Sequence, residues 1–537
     1  MFLTLIHCSF TFSLAMTEYS VVYPTLLSAR DSGGKKIIKV NKRMTLNLEK
    51  SEVFSSDFMF VTEENGKKTH LLMSKYEFEK DLYHDQSLMA ALLVRTDDGI
   101  QVEGIINDTM RIKPLLEMPR SINGHIPHKL FEEPAQTRIP KHQDYKPANI
   151  TERGDTTRAY VEARSKRRSY YPEVYIVQDS VHAKVFNFDK KKVIEYFTVF
   201  CAAVNLRYAT NREVKNQLRI AGITMSTTEE TFLVHPGGDR YEVLDEETLA
   251  NFNTYYQSKL EFTESDLVFF VTGPNGKMGC KKTWHLPRHL LDPGSFKSVA
   301  RKQLDQTVHQ YPGTDEELLE ELITKYINTS RKQGCTKQLP KYTETTNEQF
   351  DAGISERYSY IGGFCQQSKV GMSEDPPGSF YGVQVFAHEI GHSLGCVHDQ
   401  SPAEPSVPGH KGSEACSWDE GYMMSYAMMD RRMYSFSKCC IADIINVLSR
   451  PEWSCLKERN RKSKKPKGLP GQYISGNDYC RRCYPGKSGM QYDKSYGIKD
   501  CKMKCMYSEG YYMLGVPDGA PCDTTRKGHM VLGFLNS

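Results

Sequence analysis

Residues 388 to 399 read His-Glu-Ile-Gly-His-Ser-Leu-Gly-Cys-Val-His-Asp and contain three imidazoles and a glutamate at spacings that suit a metal centre. His388 and His392 are four residues apart, so on an α-helix both rings project from one face and can bind one ion. Glu389 points to the edge of that face, where it can accept a proton from a water without binding the metal. The pattern predicts a hydrolytic centre in which Glu389 is the general base.

The second half of the string predicts the third ligand. Gly395 lies three residues after His392, where a residue that tolerates positive φ can end the helix and turn the chain so that His398 reaches the metal. Three neutral nitrogens suit one catalytic Zn²⁺ with its fourth position open for water, whose pKa the ion lowers to roughly 7. We therefore expect peptide-bond hydrolysis. The residues do not indicate whether a structural calcium ion also binds.

The extended string resembles the metzincin metallopeptidases, and Asp399 directly after the third histidine is similar to the adamalysin or reprolysin branch. Metzincins place a methionine turn beneath the zinc, and Gly421-Tyr422-Met423-Met424-Ser425-Tyr426 stands where that turn is expected. Similarity to the Met-Ser-Tyr form of secreted tick salivary reprolysin-like metalloproteases favours Met424, with Met423 as the alternative, as a packing residue. We expect Asp399 to fix the chain by hydrogen bonding rather than to act as a catalytic acid.

The resemblance is close for roughly residues 170 to 280 and 355 to 455, and it implies an α/β (α+β) metzincin catalytic domain over 169–456. Alternating segments agree with this fold: strands at 174–177, 218–223 and 267–271, and helices around 193–204 and 249–256. We expect a mostly parallel sheet with the zinc helix, from about Gly382 to Leu394, beneath it. Residues 281–350 match poorly and are interpreted as an insertion that packs on the surface or, alternatively, covers part of the cleft.

Cysteine usage indicates an oxidising secretory route. The chain has 15 cysteines and three Asn-x-Ser/Thr acceptor sites, at Asn107, Asn149 and Asn328. Residues 1–15 are apolar enough for a signal peptide, although no basic residue precedes the apolar run, and no later stretch is long enough for a transmembrane segment. With a net charge of +4 there is no indication of a nucleic-acid partner. We expect a secreted, extracellular glycoprotein.

Residues 16–168 contain no cysteine and end in a basic run made of Arg164, Ser165, Lys166, Arg167 and Arg168. This run fits cleavage by a proprotein convertase, whose acidic pockets favour such side chains, and a solvated basic turn is the alternative. The segment is therefore interpreted as the propeptide of a zymogen. Since it offers no thiolate to the zinc, we expect latency by steric cover of the cleft.

The C-terminal part is interpreted as a basic linker, 457–471, and a small cysteine-rich, disulfide-bonded module, 472–537. The linker could bind anionic glycans or a cell surface, or only be solvated. Cys439 and Cys440 are adjacent and should pair with different loops. Nine cysteines lie between 201 and 455 and five between 480 and 522, so a bridge joins the two regions or each keeps a free thiol. The Cys480, Cys483, Cys501 and Cys505 spacing would suit zinc, but secretion favours disulfides.

These observations predict a secreted zinc-dependent endopeptidase made as a zymogen. The resemblance implies protein substrates of extracellular matrix or blood clotting. The alternative is a non-catalytic binding protein that acts through its cysteine-rich module on host receptors or clotting factors. Substitution of Glu389 separates the two, because only the enzyme depends on water activation.

Overall fold

The computed structural model describes residues 19–28, 34–64, 67–133, 144–150, 169–234, 245–257, 259–263, 265–273, 357–427, 430–457, 470–484, 487–508, 510–517, 520–521, 529–531 and 534–536. The predicted signal peptide, the basic run at 164–168, the insertion at 281–350 and most of the basic linker lie outside these residues. Within the described part of the chain, no helix combines the length and apolar character needed to cross a bilayer.

The central layer is a mixed sheet of eight described strands in the order β12-β18-β19-β17-β14-β16-β5-β6. Five of its seven pairings are parallel, as predicted, and the pairs β18–β19 and β5–β6 are antiparallel. Their bounds are β5 Phe54–Glu64, β6 Lys67–Met73, β12 Tyr145–Pro147, β14 Glu173–Gln178, β16 Arg219–Met225, β17 Leu267–Thr272, β18 Arg357–Ile361 and β19 Val370–Glu374.

A second sheet of nine described strands is formed entirely by the predicted propeptide, in the antiparallel order β1-β11-β10-β9-β8-β7-β4-β3-β2. One face covers its own apolar cluster, which includes Ile38, Leu46 and Leu92. The strands are β1 Tyr19–Val22, β2 Thr25–Ser28, β3 Lys36–Lys39, β4 Thr45–Lys50, β7 Leu82–Asp85, β8 Ala90–Arg95, β9 Gln101–Ile105, β10 Met110–Pro114 and β11 His128–Glu132.

Two long helices build the layer that carries the site. Aromatic rings form their contacts in the core. The ring centroid of Phe386, on the helix Gly382–Ser393, lies 4.1 Å from that of Phe269 on β17 and 5.3 Å from that of Phe200 on the helix Lys190–Tyr208. The apolar faces predicted from the sequence are therefore buried against the sheet. The described α-helices are α1 Lys75–Glu79, α2 Ser180–Val185, α3 Lys190–Tyr208, α4 Asp245–Gln257, α5 Gly382–Ser393, α6 Lys438–Ser449, α7 Pro470–Tyr473 and α8 Gly476–Cys483.

The C-terminal region packs on the hairpin β5–β6. Met59, Val61 and Leu72 of the hairpin share an apolar cluster with the C-terminal residues Tyr479 and Leu514. Beyond the main sheets, the described strands are β13 Ser169–Tyr170, β15 Lys215–Asn216, β20 Gln491–Tyr492, β21 Ile498–Lys499, β22 Lys502–Tyr507, β23 Gly510–Gly515, β24 His529–Val531 and β25 Phe534–Asn536. The predicted propeptide thus contributes three strands, β5, β6 and β12, to the central sheet, and its hairpin β5–β6 supports the C-terminal region.

Disulfides hold the chain around the site. Cys439 pairs with Cys416 and Cys440 with Cys396, which confirms the prediction that the adjacent cysteines staple different loops. The other described bridges are Cys365–Cys455 and Cys480–Cys505, and Cys501 is also disulfide-bonded. Cys201, buried in α3, carries a free thiol. Three of these four bridges lie in the first cysteine region, 201–455, and one lies in the second, 480–522. None of the four joins the two regions.

Candidate zinc centre

Helix α5 places His388 and His392 one turn apart, four residues from each other and both buried. The helix starts after Glu374 of β19, where Asp375 accepts a 2.8 Å hydrogen bond from the Gly382 amide. A carboxylate at this end satisfies an amide that has no partner within the helix and favours the positive end of the helix dipole. The start of the helix is therefore fixed to the sheet, and with it the direction of both rings.

The chain turns at Gly395, which has φ of +97° as predicted. Its amide bonds to the His392 carbonyl at 2.8 Å, and the Cys396 amide bonds to the Gly391 carbonyl at 3.0 Å, which closes the helix end. A Cβ at Gly395 would also lie 2.6 Å from Val447 of α6. The turn then brings His398 back towards the helix.

The three predicted ligands meet through their Nε2 atoms. His388 Nε2 lies 3.0 Å from His392 Nε2 and 3.3 Å from His398 Nε2. Nδ1 of His388 and Nδ1 of His392 each bond to a backbone carbonyl at 2.7 Å, those of Met423 and Cys396. A carbonyl only accepts, so these Nδ1 atoms carry the hydrogens and the facing Nε2 atoms present lone pairs.

Lone pairs at this separation repel unless a cation lies between them, so the residues fit a bound metal ion. Nitrogens bound tetrahedrally to zinc at about 2.05 Å would be roughly 3.3 Å apart, close to the observed separations. Burial lowers the pKa of His388 to about 3 and also lowers the pKa of His398, against the raising effect of a nearby aspartate. Both rings are therefore neutral, which is the form that binds a metal.

Glu389 is fully buried at the edge of the same helical face. One of its carboxylate oxygens lies 3.9 Å from Nε of Arg357, the first residue of β18. The Glu389 backbone carbonyl accepts a 3.1 Å hydrogen bond from the hydroxyl of Ser359 on the same strand. The predicted base therefore lies between the imidazole cluster and strand β18.

Both candidate methionines are buried in the predicted turn. Met424 packs beneath the helix, since a Cβ at Gly391 would be 2.9 Å from its sulfur. Met423 supplies the carbonyl for His388, and its sulfur lies 3.1 Å from the Gln384 amide nitrogen. Met424 thus takes the packing position under the ligands, and Met423 orients one ligand through its backbone.

Asp399 joins the turn to helix α6. Its amide donates to the Met424 carbonyl at 3.0 Å, and its Oδ1 accepts from the Ser437 hydroxyl at 2.6 Å. Burial raises its pKa to about 7. These contacts hold the chain after His398 and give Asp399 no contact with the fourth metal position.

The structure also places a residue at the cluster that the sequence did not reveal. Asp144, fully buried and just before β12, has Oδ1 2.9 Å from His398 Nε2 and 3.0 Å from His392 Nε2. Its Oδ2 lies 3.4 Å from His388 Nε2 and 3.2 Å from Arg357 Nε. A carboxylate therefore lies beside the three imidazoles, where the sequence predicted an open fourth position for water.

Two further residues complete this pocket. The Tyr426 hydroxyl donates to Asp144 Oδ2 and lies 3.1 Å from His398 Nε2, while the Arg357 guanidinium stacks 4.3 Å above the Tyr426 ring. Tyr426 stood in the methionine-turn string, so it could have been selected. Asp144 and Arg357 have no fixed spacing to the histidines, and only the pairing of β12 with β18 brings them there.

The two described glycosylation candidates differ in exposure. Asn149 is exposed after β12, whereas Asn107 is half-buried and its Oδ1 accepts from the Thr109 and Met110 amides. Asn328 and the predicted processing residues Arg164, Lys166, Arg167 and Arg168 lie outside the described residues.

Comparison with known proteins agrees with this site. Residues 343–450 match the family model of reprolysin-like metallopeptidases of family M12B. The chain is 22% identical to a venom metalloproteinase of Olivierus martensii over 81% of this chain and 91% of that protein. It is 24% identical to a Bombyx mori protein described as like a disintegrin and metalloproteinase with thrombospondin motifs, over 59% of this chain but only 38% of that protein.

One solved structure, metalloproteinase-II from Bacteroides fragilis, aligns over 84% of this chain and 96% of its own at 9% identity, with a TM-score of 0.32. The resemblance predicted from the sequence is confirmed by the family match, which contains all three histidines and Glu389.

Proposed function

Because this chain is a reprolysin-like metallopeptidase, we propose that it is a secreted, zinc-dependent endopeptidase that hydrolyses peptide bonds of extracellular proteins and is made as a zymogen. The observation that carries this proposal is the convergence of three imidazole Nε2 atoms beside a buried glutamate.

We assign His388, His392 and His398 as the ligands of one zinc ion. When bound, zinc polarises the scissile carbonyl and lowers the pKa of a water to roughly 7. The backbone carbonyls of Met423 and Cys396 orient two of the rings and fix their tautomers, which keeps the ligands in place before the ion binds.

Glu389 acts as the base. It takes a proton from the attacking water and later delivers it to the leaving amine, so that proton transfer begins and ends on one carboxylate. Its complete burial removes competing bulk water and strengthens its interaction with the reacting groups. Arg357, 3.9 Å away, provides a positive charge that limits the cost of burying it.

Several features support secretion and processing. Disulfides occur on both sides of the linker, Asn149 is exposed for glycosylation, and the basic run at 164–168 fits a proprotein convertase. Relatives described as venom metalloproteinases agree with an extracellular role. By the resemblance, matrix or blood-clotting proteins are the proposed substrates, and the lysines and arginines in the linker sequence would attract anionic glycans.

The variant Glu389→Gln tests this function in the cleaved, secreted chain. Loss of water activation should lower peptide hydrolysis by about 10² to 10⁴-fold, while zinc content and the circular dichroism spectrum stay unchanged. Glu414→Gln, at an exposed site beyond the zinc ligands, is the matched control and should keep full activity. Retained hydrolysis in Glu389→Gln would contradict the proposal, and a biological effect that survives without hydrolysis would favour the binding-protein alternative.

A further inference from the structure

One carboxylate oxygen of Asp144, Oδ1, is fully buried and faces the imidazole cluster. Its nearest neighbours are the Nε2 atoms of His392 and His398, at 3.0 and 2.9 Å. Since His392 carries its hydrogen on Nδ1, its Nε2 is an acceptor and cannot bond to a second acceptor.

A cation resolves this conflict. A buried carboxylate oxygen that faces a nitrogen lone pair is unfavourable, because lone pairs of oxygen and nitrogen at about 3 Å repel each other. The four groups Asp144, His388, His392 and His398 offer one ligand atom each, all within 4.8 Å of one another. Three imidazoles and one carboxylate are a donor set that zinc accepts.

The surrounding contacts fix Asp144 at this point. Strand β12, at the edge of the central sheet, pairs in parallel with β18, and the Ser359 amide donates to the Asp144 carbonyl at 3.2 Å. The next ring, Tyr145, packs 4.5 Å from the His392 ring. Oδ2 is held separately by Arg357 and Tyr426, which leaves Oδ1 directed at the metal position.

We propose that in the uncleaved chain the Asp144 carboxylate is the fourth ligand of the zinc ion and keeps the precursor inactive. The inference rests on the zinc peptidase function proposed above and replaces simple steric cover with a direct bond to the metal. The Asp144 carboxylate would occupy the coordination position that the attacking water needs. In addition, β12 occupies the edge of β18, where an extended polypeptide could add as a strand.

The test uses the full-length chain with Arg167→Ala and Arg168→Ala to prevent cutting, loaded with Co²⁺ or Zn²⁺. Asp144→Asn and Asp144→Ala are compared with the parent and with Asp98→Asn, a control whose side chain is 81% exposed in the same segment. The visible spectrum of Co²⁺ reports its ligands without any need for activity. The rate of zinc transfer to a colorimetric chelator reports how tightly the four ligands hold the ion.

We expect both Asp144 variants to change the Co²⁺ spectrum, to release zinc at least tenfold faster and to hydrolyse a peptide at least tenfold faster than the parent. Asp98→Asn should match the parent in all three. A spectrum and release rate unchanged in both Asp144 variants would overturn the inference. If these variants do not fold, the unsubstituted chain is used instead. Its Co²⁺ spectrum must change when the prosegment is cut and removed, and an unchanged spectrum refutes the ligand role.

The outcomes separate this inference from the proposed function. If the cleaved chain hydrolyses peptides but the Asp144 variants change neither the Co²⁺ spectrum nor the zinc release rate, the proposed function stands and the ligand assignment is wrong. A response of spectrum and release in Asp144 variants, with no hydrolysis by any form, would support the ligand assignment and remove the peptidase. A chain that binds neither Co²⁺ nor Zn²⁺ would overturn both.

Discussion

Acidification should destabilise the full-length chain through His70, on the hairpin β5–β6 beneath the C-terminal region. The residue is only 2% exposed, and its Nδ1 finds no hydrogen-bond partner among the described residues. Its ring lies 5.2 Å from that of Tyr484, and its carbonyl accepts from the Tyr479 hydroxyl at 2.6 Å. Burial lowers the pKa of His70 to about 4, with smaller opposing effects of Glu261, which raises it, and Lys68, which lowers it.

The sign follows from proton uptake. Below its ordinary pKa of about 6.5, the unfolded chain protonates this histidine, whereas the folded chain does not until about pH 4. The unfolded state therefore binds more protons, and the free energy of unfolding falls as the pH falls through this window. Linkage with these two pKa values gives a loss of about 2 kcal/mol between pH 7 and pH 5.

Urea unfolding of the uncleaved chain, followed by circular dichroism at pH 7 and pH 5, measures this loss. His70→Phe keeps a planar ring but cannot titrate, so the difference between the two pH values should shrink by about 2 kcal/mol relative to the parent. Tyr484→Phe, which keeps the ring beside His70, is the matched control and should keep the pH dependence of the parent. Equal pH dependence in His70→Phe and the parent would refute the reasoning.

Two other substitutions probe the site. Tyr426→Phe removes a hydroxyl that lies 3.1 Å from His398 Nε2 and can donate to a developing oxyanion. The kcat of the cleaved enzyme should therefore fall about tenfold, with little change in KM and zinc content. Tyr422→Phe is the control and should be neutral, and an unchanged kcat in Tyr426→Phe would contradict the role. Replacing both Cys396 and Cys440 by Ser opens a link with a separation of 44 residues, which should cost about 4 kcal/mol and also accelerate zinc release, because the Cys396 carbonyl holds His392. The Cys416 and Cys439 double substitution, with a separation of 23, should cost about 3.5 kcal/mol without faster release, and equal zinc loss in both would contradict this account.

Local sequence patterns predicted the elements around the site well. The zinc helix was expected from about Gly382 to Leu394 and spans Gly382–Ser393, because its apolar period and its glycine turn are encoded by neighbouring residues. The positive φ of Gly395 and the separate partners of Cys439 and Cys440 were predictable for the same reason. The parallel sheet followed from alternating strands and helices.

Long-range partners were not predictable. Strand β5 pairs with β16, more than 150 residues away in sequence, and nothing in its own residues specifies that neighbour. Asp144 reaches the histidines for the same kind of reason, through the pairing of three residues with β18. Such contacts depend on the whole sheet order, whereas the His-Glu-x-x-His spacing depends on a single helix turn.

The hairpin β5–β6 would keep the N-terminal segment bound after the backbone is cut, so cleavage and release of the segment would be separate steps. A cut in the run 164–168 would break one backbone bond, yet Met59, Phe60 and Val61 would stay paired with β16. Met59 and Val61 would also stay packed against the C-terminal residues. The severed fragment would then behave as a tight-binding inhibitor whose slow dissociation, or further digestion, sets the lag before turnover. Its removal would expose the β16 edge, an adhesive surface that the free enzyme has to cover or tolerate.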